Sequence, residues 1–401
     1  MPSLALGTTD LEAISADLDQ ALLQWWEKHG RRDPAQKPWM FMPDGAWPEP
    51  QHSLPPYRVL VAEVMLQQTQ LQVVLPYWRA WMEAFPRLEV LAEADEQAVL
   101  LRWQGLGYYS RARRLLAAAQ QLFAELRPVG EADPQAWPHQ LDRWVLLPGI
   151  GRSTAGGILS SAFNSPLAIL DGNVRRVLAR VMAHSHPPMR HQGLFWTWSQ
   201  CLIAAAPQRA RDLNQALMDL GATLCTPRHP ACASCPWQSA CAAYASGSPD
   251  HYPVKEAPRD VPFQVIGVGV VLNQAGQVLI DQRLNEGLLG GMWEFPGGKQ
   301  EPGERIQATI ARELMEELAI EVTVDQELIC VDHAYSHKRL RFEVYLCTWC
   351  SGEPQPLASQ QVRWVQPQEL GAYPFPAANA RIIAALMTHL GLPALDQSVS
   401  G

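Results

Sequence analysis

A change of hydrophobic period near residue 245 limits this chain's fold more than any other feature of the sequence. From Leu11 to about Ala245 apolar residues recur at helical spacing, as in LDQALLQWWEKHG, where Gly30 is placed to end the helix. No convincing strand alternation interrupts that region. Beyond it, Phe263 to Leu272 (FQVIGVGVVL), Val278 to Gln282 and Arg341 to Trp349 read as strands, while Ile306 to Leu318 reads as an acid-rich helix. With 401 residues the chain exceeds one ordinary core. The expectation is a multidomain protein: an all-α domain over residues 1–245, a polar, proline-containing linker over 246–260, an α+β domain over 261–392 and a tail over 393–401. The stretch from Arg31 to Pro56, rich in Pro, Asp, Gly and Trp, reads as a long surface loop.

Hydrophobic residues make up 47% and charged residues 18%, without an apolar run of membrane-spanning length, so a soluble protein is expected. The first twenty residues carry acids instead of the basic start of an export signal, which points to the cytoplasm, beside the nucleoid in a bacterium. A monomer is expected, and no repeat or low-complexity tract appears. Eight cysteines in such a chain ask for a metal or cluster, not a disulfide framework. The net charge of -8 is no nucleic-acid signature, but residues 1–250 hold 21 Lys/Arg against 22 Asp/Glu, so the acidity sits in the remainder. Within the first part Arg111, Arg113, Arg114, Arg152, Arg175, Arg176 and Arg180 suggest a basic strip.

Cys225, Cys232, Cys235 and Cys241 have the spacing C-x6-C-x2-C-x5-C. Four thiolates so close can wrap one centre, and both zinc and an iron-sulfur cluster accept them. Cys347 and Cys350 lie in an expected strand and read as structural, whereas Cys201 and Cys330 show no partner pattern. Upstream, LPGIGRSTA places Gly149 and Gly151 in a tight turn before a helical run, where backbone N–H groups can hold a phosphate without reading bases. Glu63 stands in an apolar helical stretch, and burial there would raise its pKa toward the range of a general acid. Gln67 and Gln70, at i+4 and i+7, fall on its helix face. Asp171, between SPLAIL and VRRVLARVM, reads as a helix N-cap, a role compatible with catalysis.

These motifs together resemble the endonuclease III superfamily and, within it, the MutY-type adenine glycosylases. The cysteine spacing is similar to their 4Fe-4S loop, LPGIG followed by Thr154-Ala155 to their helix-hairpin-helix, EVMLQQTQ to the segment around their catalytic glutamate and ILDGNV to that around their catalytic aspartate. The resemblance implies catalytic roles for Glu63, Asp171 and Asn173. It implies DNA contacts for Gln67, Gln68, Thr69, Leu106, Tyr108, Gly149, Gly151 and Gln215. Where glycosylase/lyases carry a Schiff-base lysine this chain has Ser153, which implies base removal without an obligatory lyase step. Pro38-Trp39 resembles a family element, although Met40 replaces a common arginine. The implied substrate is double-stranded DNA with adenine opposite 8-oxoguanine or guanine.

Gly298 to Ile320 follows the Nudix box, with Ala319 in place of the usual glycine. Glu313, Glu316 and Glu317 fall at i, i+3 and i+4, a spacing that can hold Mg2+ and through it a pyrophosphate. The resemblance to MutT-type 8-oxo-dGTP pyrophosphohydrolases extends to Arg283 as a phosphate contact and Asn379 as a reader of the oxidised purine. Arg363, where some relatives have glutamate, argues against hydrolysis. Ser336, in HAYSH, resembles the MutY residue that touches 8-oxoguanine in DNA. Three other readings stay in view: a pyrimidine glycosylase/lyase, which Ser153 and EVMLQQTQ disfavour; a nucleotide-pool 8-oxo-dGTP hydrolase with a DNA-binding helical half; and a non-catalytic DNA-binding scaffold.

Overall fold

The computed structural model describes residues 8–127, 129–257, 261–287, 289–334 and 338–395. The chain forms two compact units, one of Met1–Ala92 with Ala117–Pro258 and one of Glu93–Leu116 with Arg259–Gly401. Twelve helices precede the first strand among the described residues: α1 (Thr8–His29), α2 (Pro56–Leu66), α3 (Leu71–Ala84), α4 (Leu88–Ala92), α5 (Glu96–Trp103), α6 (Ser110–Leu126), α7 (Leu141–Val145), α8 (Arg152–Phe163), α9 (Gly172–Val181), α10 (Gln192–Ala205), α11 (Ala210–Thr223) and α12 (Ala242–Ala245). No helix among the described residues is long and apolar enough to cross a membrane.

One core of the first unit gathers the apolar stripes of α1, α9, α10 and α11, with Leu22, Trp26, Val177, Phe195, Leu213 and Leu217 almost wholly enclosed. The stretch 31–56 departs from the surface loop expected of it. Trp39, Met40, Phe41 and Leu54 are buried, and Pro38–Met40 forms a short 3-10 turn. Its backbone is satisfied by Arg211, which is 1% exposed and donates to the carbonyls of Pro48 (3.3 Å), Glu49 (3.1 Å) and His52 (2.7 Å). Two proline-flanked aromatic residues that look like loop punctuation are therefore core.

The arginine strip dissolves in the same way. Arg111, Arg176 and Arg180 are buried, and each holds backbone carbonyls instead of facing solvent. Arg114 and Arg152 are exposed.

The second unit contains a seven-stranded mixed sheet: β1 (Phe263–Leu272), β2 (Val278–Gln282), β3 (Trp293–Glu294), β4 (Gly297–Lys299), β5 (Glu321–Ala334), β6 (Arg339–Ser351) and β7 (Gln361–Val365). The path runs β3-β2-β1-β6-β5, with β4 on β1 and β7 on β2; β1 and β6 are parallel and their neighbours antiparallel. Helix α13 (Ile306–Leu318) covers one face and α14 (Ala377–His389) the other. Alternation along β1 sends Val268 and Val270 to the α14 side. Gly267 and Gly269 point to α13, where a Cβ would meet Ile310 and Leu314 at 2.9 Å in each case. Missing side chains thus let α13 approach the sheet closely. The segment 93–116 joins this unit through Gln97, whose amide donates to the Gly291 carbonyl (3.0 Å) and accepts from the Trp293 indole (3.0 Å).

Candidate active site

In the first unit α2, otherwise mostly buried and apolar, carries the half-buried Glu63 to a polar cluster with Asp171 and Lys37. Burial raises its pKa to about 7, the Asp171 carboxylate adds to the rise, and the Lys37 ammonium opposes it. Its space is provided by a missing side chain: a Cβ on Gly157 would stand 2.6 Å from Glu63 Oε2. Gly156 similarly admits the Ala168 carbonyl, which a Cβ would meet at 2.5 Å.

Asp171 caps α9, its Oδ1 accepting from the Val174 N–H at 2.7 Å. Burial raises its pKa, against the pull of the Val174 and Asn173 N–H groups and of Arg176 and Arg175. Two carboxyl groups thus share one pocket, and both resist ionisation. Asn173 accepts from Arg176 at 2.9 Å, and Arg176 in turn donates to the Gly221 carbonyl (2.7 Å) and the Cys225 carbonyl (2.8 Å). The Asn173 Cβ lies where a side chain on Gly221 would fall, 2.6 Å away, so α9 and α11 fix its position.

Sequence reasoning missed the cation in this pocket. Lys37 comes from the packed loop, is buried, and donates from Nζ to Asp219 Oδ1 (2.9 Å) and Gln215 Oε1 (2.8 Å). Asp219 also accepts from Trp26 Nε1 (2.9 Å) and the Arg31 guanidinium (2.7 Å); despite burial, Lys37 and Arg31 hold its carboxyl below the usual range. Gln215 is 2% exposed and tied to Lys37 and Ser161, placing it inside this network. No periodicity marks Lys37; only its position beside Pro38-Trp39 hinted at it.

The glycine turn lies between α7 and α8. Gly149 has φ of +78°, and Gly151 caps α8 without a side-chain bond, leaving the first N–H groups of the helix to other partners. Gln67 donates to the Gly149 carbonyl (3.3 Å) and Thr154 Oγ1 (3.0 Å), tying the turn to α2. The Ser153 hydroxyl accepts from the Leu170 N–H at 3.0 Å and so positions the segment leading to Asp171. The expected shared face of Glu63, Gln67 and Gln70 does not form, because α2 ends at Leu66 and Gln68 turns with φ of +58°. Gln68 is exposed and Thr69 half-buried. Leu106 and Tyr108 belong to the second unit; Leu106 is buried, and Tyr108 is 52% exposed at φ of +48°.

Cys225, Cys232, Cys235 and Cys241 line one cavity together with Arg180, Leu224 and Tyr244. Burial raises the Cys232 and Cys241 thiols and pushes Cys235 up to about 12, so these sulfurs become thiolates only against a cation. Arg180 donates to Cys225 Sγ at 3.3 Å. One tetrahedral zinc would hold its sulfurs about 3.8 Å apart, given bonds of about 2.3 Å. Among the described residues the trio of candidate ligands with atoms within 4.8 Å of one another is His184, His186 and His191, not any three of these thiols. Four cysteines around one cavity are a donor set that fits a thiolate-bound metal centre.

The second unit holds a separate acidic site. Gly298 on β4 leaves room for Glu313, whose Cδ a Cβ there would meet at 2.1 Å. Arg312 bonds Glu304 (3.0 Å), Glu313 (2.9 Å) and Glu316 (3.1 Å). Burial together with the Glu313 and Glu294 charges raises Glu317 to about 7. The sequence reading passed over Asp281 and Glu294: burial and the Glu294 and Glu317 charges hold Asp281 well above its ordinary value, and burial raises Glu294 against the pull of Arg283. This mutual repulsion of carboxylates fits a divalent cation such as Mg2+. Arg283 pairs with Glu294 through NH1 at 2.5 and 2.7 Å, and Arg363 lies 5.3 Å over the Trp293 ring. Asn379 is buried near the start of α14. Ala319 closes α13 in the left-handed conformation, φ +56°, which explains why the box favours glycine there. Ser336 lies outside the described residues.

Residues 61–199 match the model of the HhH-GPD superfamily base excision DNA repair protein, and residues 267–385 match the NUDIX domain. An adenine DNA glycosylase of Homo sapiens is 36% identical over 78% of this chain and 65% of its own length. Those of Mus musculus and Schizosaccharomyces pombe are 35% and 31% identical, over 87% and 88% of this chain and 73% and 85% of their own. Among solved structures, a thermostable thymine-DNA glycosylase aligns with 60% of this chain and 99% of its own at 22% identity and a TM-score of 0.47. The order of the two matched domains is the order of the two sites, and on these likenesses the chain belongs to the adenine DNA glycosylase family.

Proposed function

We propose that the chain is a monofunctional DNA N-glycosylase that releases adenine paired with 8-oxoguanine or guanine in duplex DNA. The observation that carries this is Glu63, a half-buried carboxyl with a pKa raised to about 7 beside a second half-buried carboxyl, Asp171. A carboxylic acid still protonated near neutral pH can give its proton to the adenine ring as the base leaves, and can then activate water. Asp171, fixed by the α9 N-terminus, stabilises the oxocarbenium-like sugar, and Asn173, held by Arg176, orients the site. The base reaches them flipped from the stack, with the backbone amides of the Gly149–Gly151 turn holding phosphate. Ser153 offers a hydroxyl already bonded to Leu170, not an amine, so no Schiff base forms.

The four-cysteine loop is assigned a 4Fe-4S cluster on its donor set and its C-x6-C-x2-C-x5-C spacing. When bound, the cluster supplies a charged template that orders residues 225–241. Arg180, spanning Cys225 Sγ and the Thr226 carbonyl, links that loop to the helix that Asp171 caps. A duplex with adenine opposite 8-oxoguanine, assayed separately for free adenine and for strand nicking beside a cytosine-opposite control, tests the proposal. Adenine release with nicking only after alkali is expected. Binding without release would favour a scaffold, and nicking without alkali a lyase.

A second activity rests on the acidic site of the Nudix domain, where burial and the charges of Glu313, Glu294 and Glu316 raise Glu317 and so favour a cation such as Mg2+. Mg2+-dependent turnover of 8-oxo-dGTP that disappears in Glu316→Gln would establish it. Absence of turnover in the wild-type protein would leave the domain the role of recognising 8-oxoguanine in DNA.

A further inference from the structure

Three histidines meet where α9 ends. Ala183 turns with φ of +44°, and the His184 N–H bonds the Ala179 carbonyl at 2.9 Å. The His184 ring packs edge-on against Phe195 and Trp198 of α10, at centroid distances of 5.2 and 5.6 Å. A 3-10 turn, Pro188–His191, then brings His191 Nδ1 to 3.0 Å from His184 Nε2. Arg190 in that turn is clamped by both oxygens of Glu256, at 2.9 and 2.7 Å. His186 completes the group, its Nδ1 lying 3.1 Å from the Ser185 hydroxyl. One nitrogen from each ring lies within 4.8 Å of the others.

We propose that His184, His186 and His191 bind one borderline divalent cation of the Zn2+ type, with water in the fourth position. Imidazole nitrogens are preferred donors for such ions, and three on one point is the ligand number of an open zinc site. Bonds of about 2.0 to 2.1 Å place tetrahedral nitrogens roughly 3.4 Å apart, so the His184–His191 pair needs to open by only a few tenths of an ångström. A simple N–H···N bond between His184 and His191 would not require the third ring. Here the aromatic wall on His184 and the ion pair on Arg190 beside His191 fix two of the three ligand positions, as outer contacts orient metal ligands, and His186 stands within reach of both. The cation would join the end of α9 to the start of α10.

The full-length protein as purified, dialysed against chelator, is titrated with ZnCl2 by calorimetry while its visible absorbance is followed. One equivalent should bind, the melting temperature should rise with Zn2+, and the absorbance should not change. His186→Asn and His191→Gln, which leave the packed His184 ring intact, should each weaken binding about tenfold or more. Failure of the wild-type protein to bind, equal binding by both variants, or binding accompanied by loss of visible absorbance would overturn the assignment.

Discussion

Oε2 of Glu63 lies 2.6 Å from the point that a Cβ on Gly157 would occupy. The acid and the α8 backbone therefore compete for one space, and the sequence resolves it by omitting a side chain. Gly157→Ala should leave the fold intact, because the clash is with the end of a side chain that can rotate, and alanine also favours helix at that position. If Glu63 is the acid, as proposed, the displaced carboxyl loses its aim at the leaving base, and an error near 1 Å costs about 100-fold in rate. Single-turnover adenine release alongside thermal melting tests this. A normal rate would place the working acid elsewhere.

Lys37 and Glu63 set a pH dependence. If Glu63 acts as the protonated acid, the rate falls as pH rises through about 7. The Lys37 ammonium favours the ionised carboxylate and so lowers that value. Lys37→Met removes this pull, raises the Glu63 pKa and moves the basic limb of the single-turnover profile to higher pH. Asp219 keeps Arg31 and Trp26 as partners in the variant, so the pocket is not left with an unpaired charge. A limb that stays in place would remove Glu63 as the titrating group.

Legibility in the sequence followed the physics of each signal. The period change placed the helical and sheet regions, and β1, β2 and α13 start and end where alternation and helical spacing do. Glu63 and Asp171 stood out as carboxylates in apolar surroundings. Lys37 did not, because a buried lysine is recognised only by partners such as Asp219, 182 residues away. The burial of Trp39 was hidden by the proline and glycine around it. Arg176 and Arg180 read as surface charge, since sequence shows charge but not the carbonyls that a buried guanidinium satisfies. The end of α2 at Leu66 was equally hidden, because EVMLQQTQ contains no residue that forces a break.

Ala319 gives a prediction for the Nudix domain. An L-residue with a Cβ in the left-handed region costs about 1 to 2 kcal/mol against its right-handed state, and glycine escapes that strain. Glycine also loses more freedom on folding, which returns part of the gain. Ala319→Gly should therefore stabilise the domain by about 0.5 to 1 kcal/mol, seen as a higher urea midpoint at unchanged slope. Destabilisation would mean that the Ala319 methyl group makes packing contacts worth more than the strain.

Arg211 joins loop packing to the chemistry of Glu63. Its guanidinium is held at 1% exposure by five carbonyls, those of Pro48, Glu49 and His52 in the loop and of Ser161 and Ala162 at the end of α8. Burial lowers its pKa only to about 10, so it remains charged at neutral pH. Arg211→Met fills much of the volume but takes this donor from the Pro48, His52 and Ser161 carbonyls, while those of Glu49 and Ala162 keep the His52 and Leu54 N–H groups, and the loss should be about 3 kcal/mol in urea unfolding. The same loop delivers Lys37 to Asp219. If Arg211 alone keeps the loop seated, the variant will reproduce the upward shift of the basic limb expected for Lys37→Met. If the buried Trp39 and Phe41 suffice, stability will fall while the pH profile stays that of the wild type. Measuring both quantities on one preparation separates the strength of the loop's attachment from its electrostatic effect on Glu63.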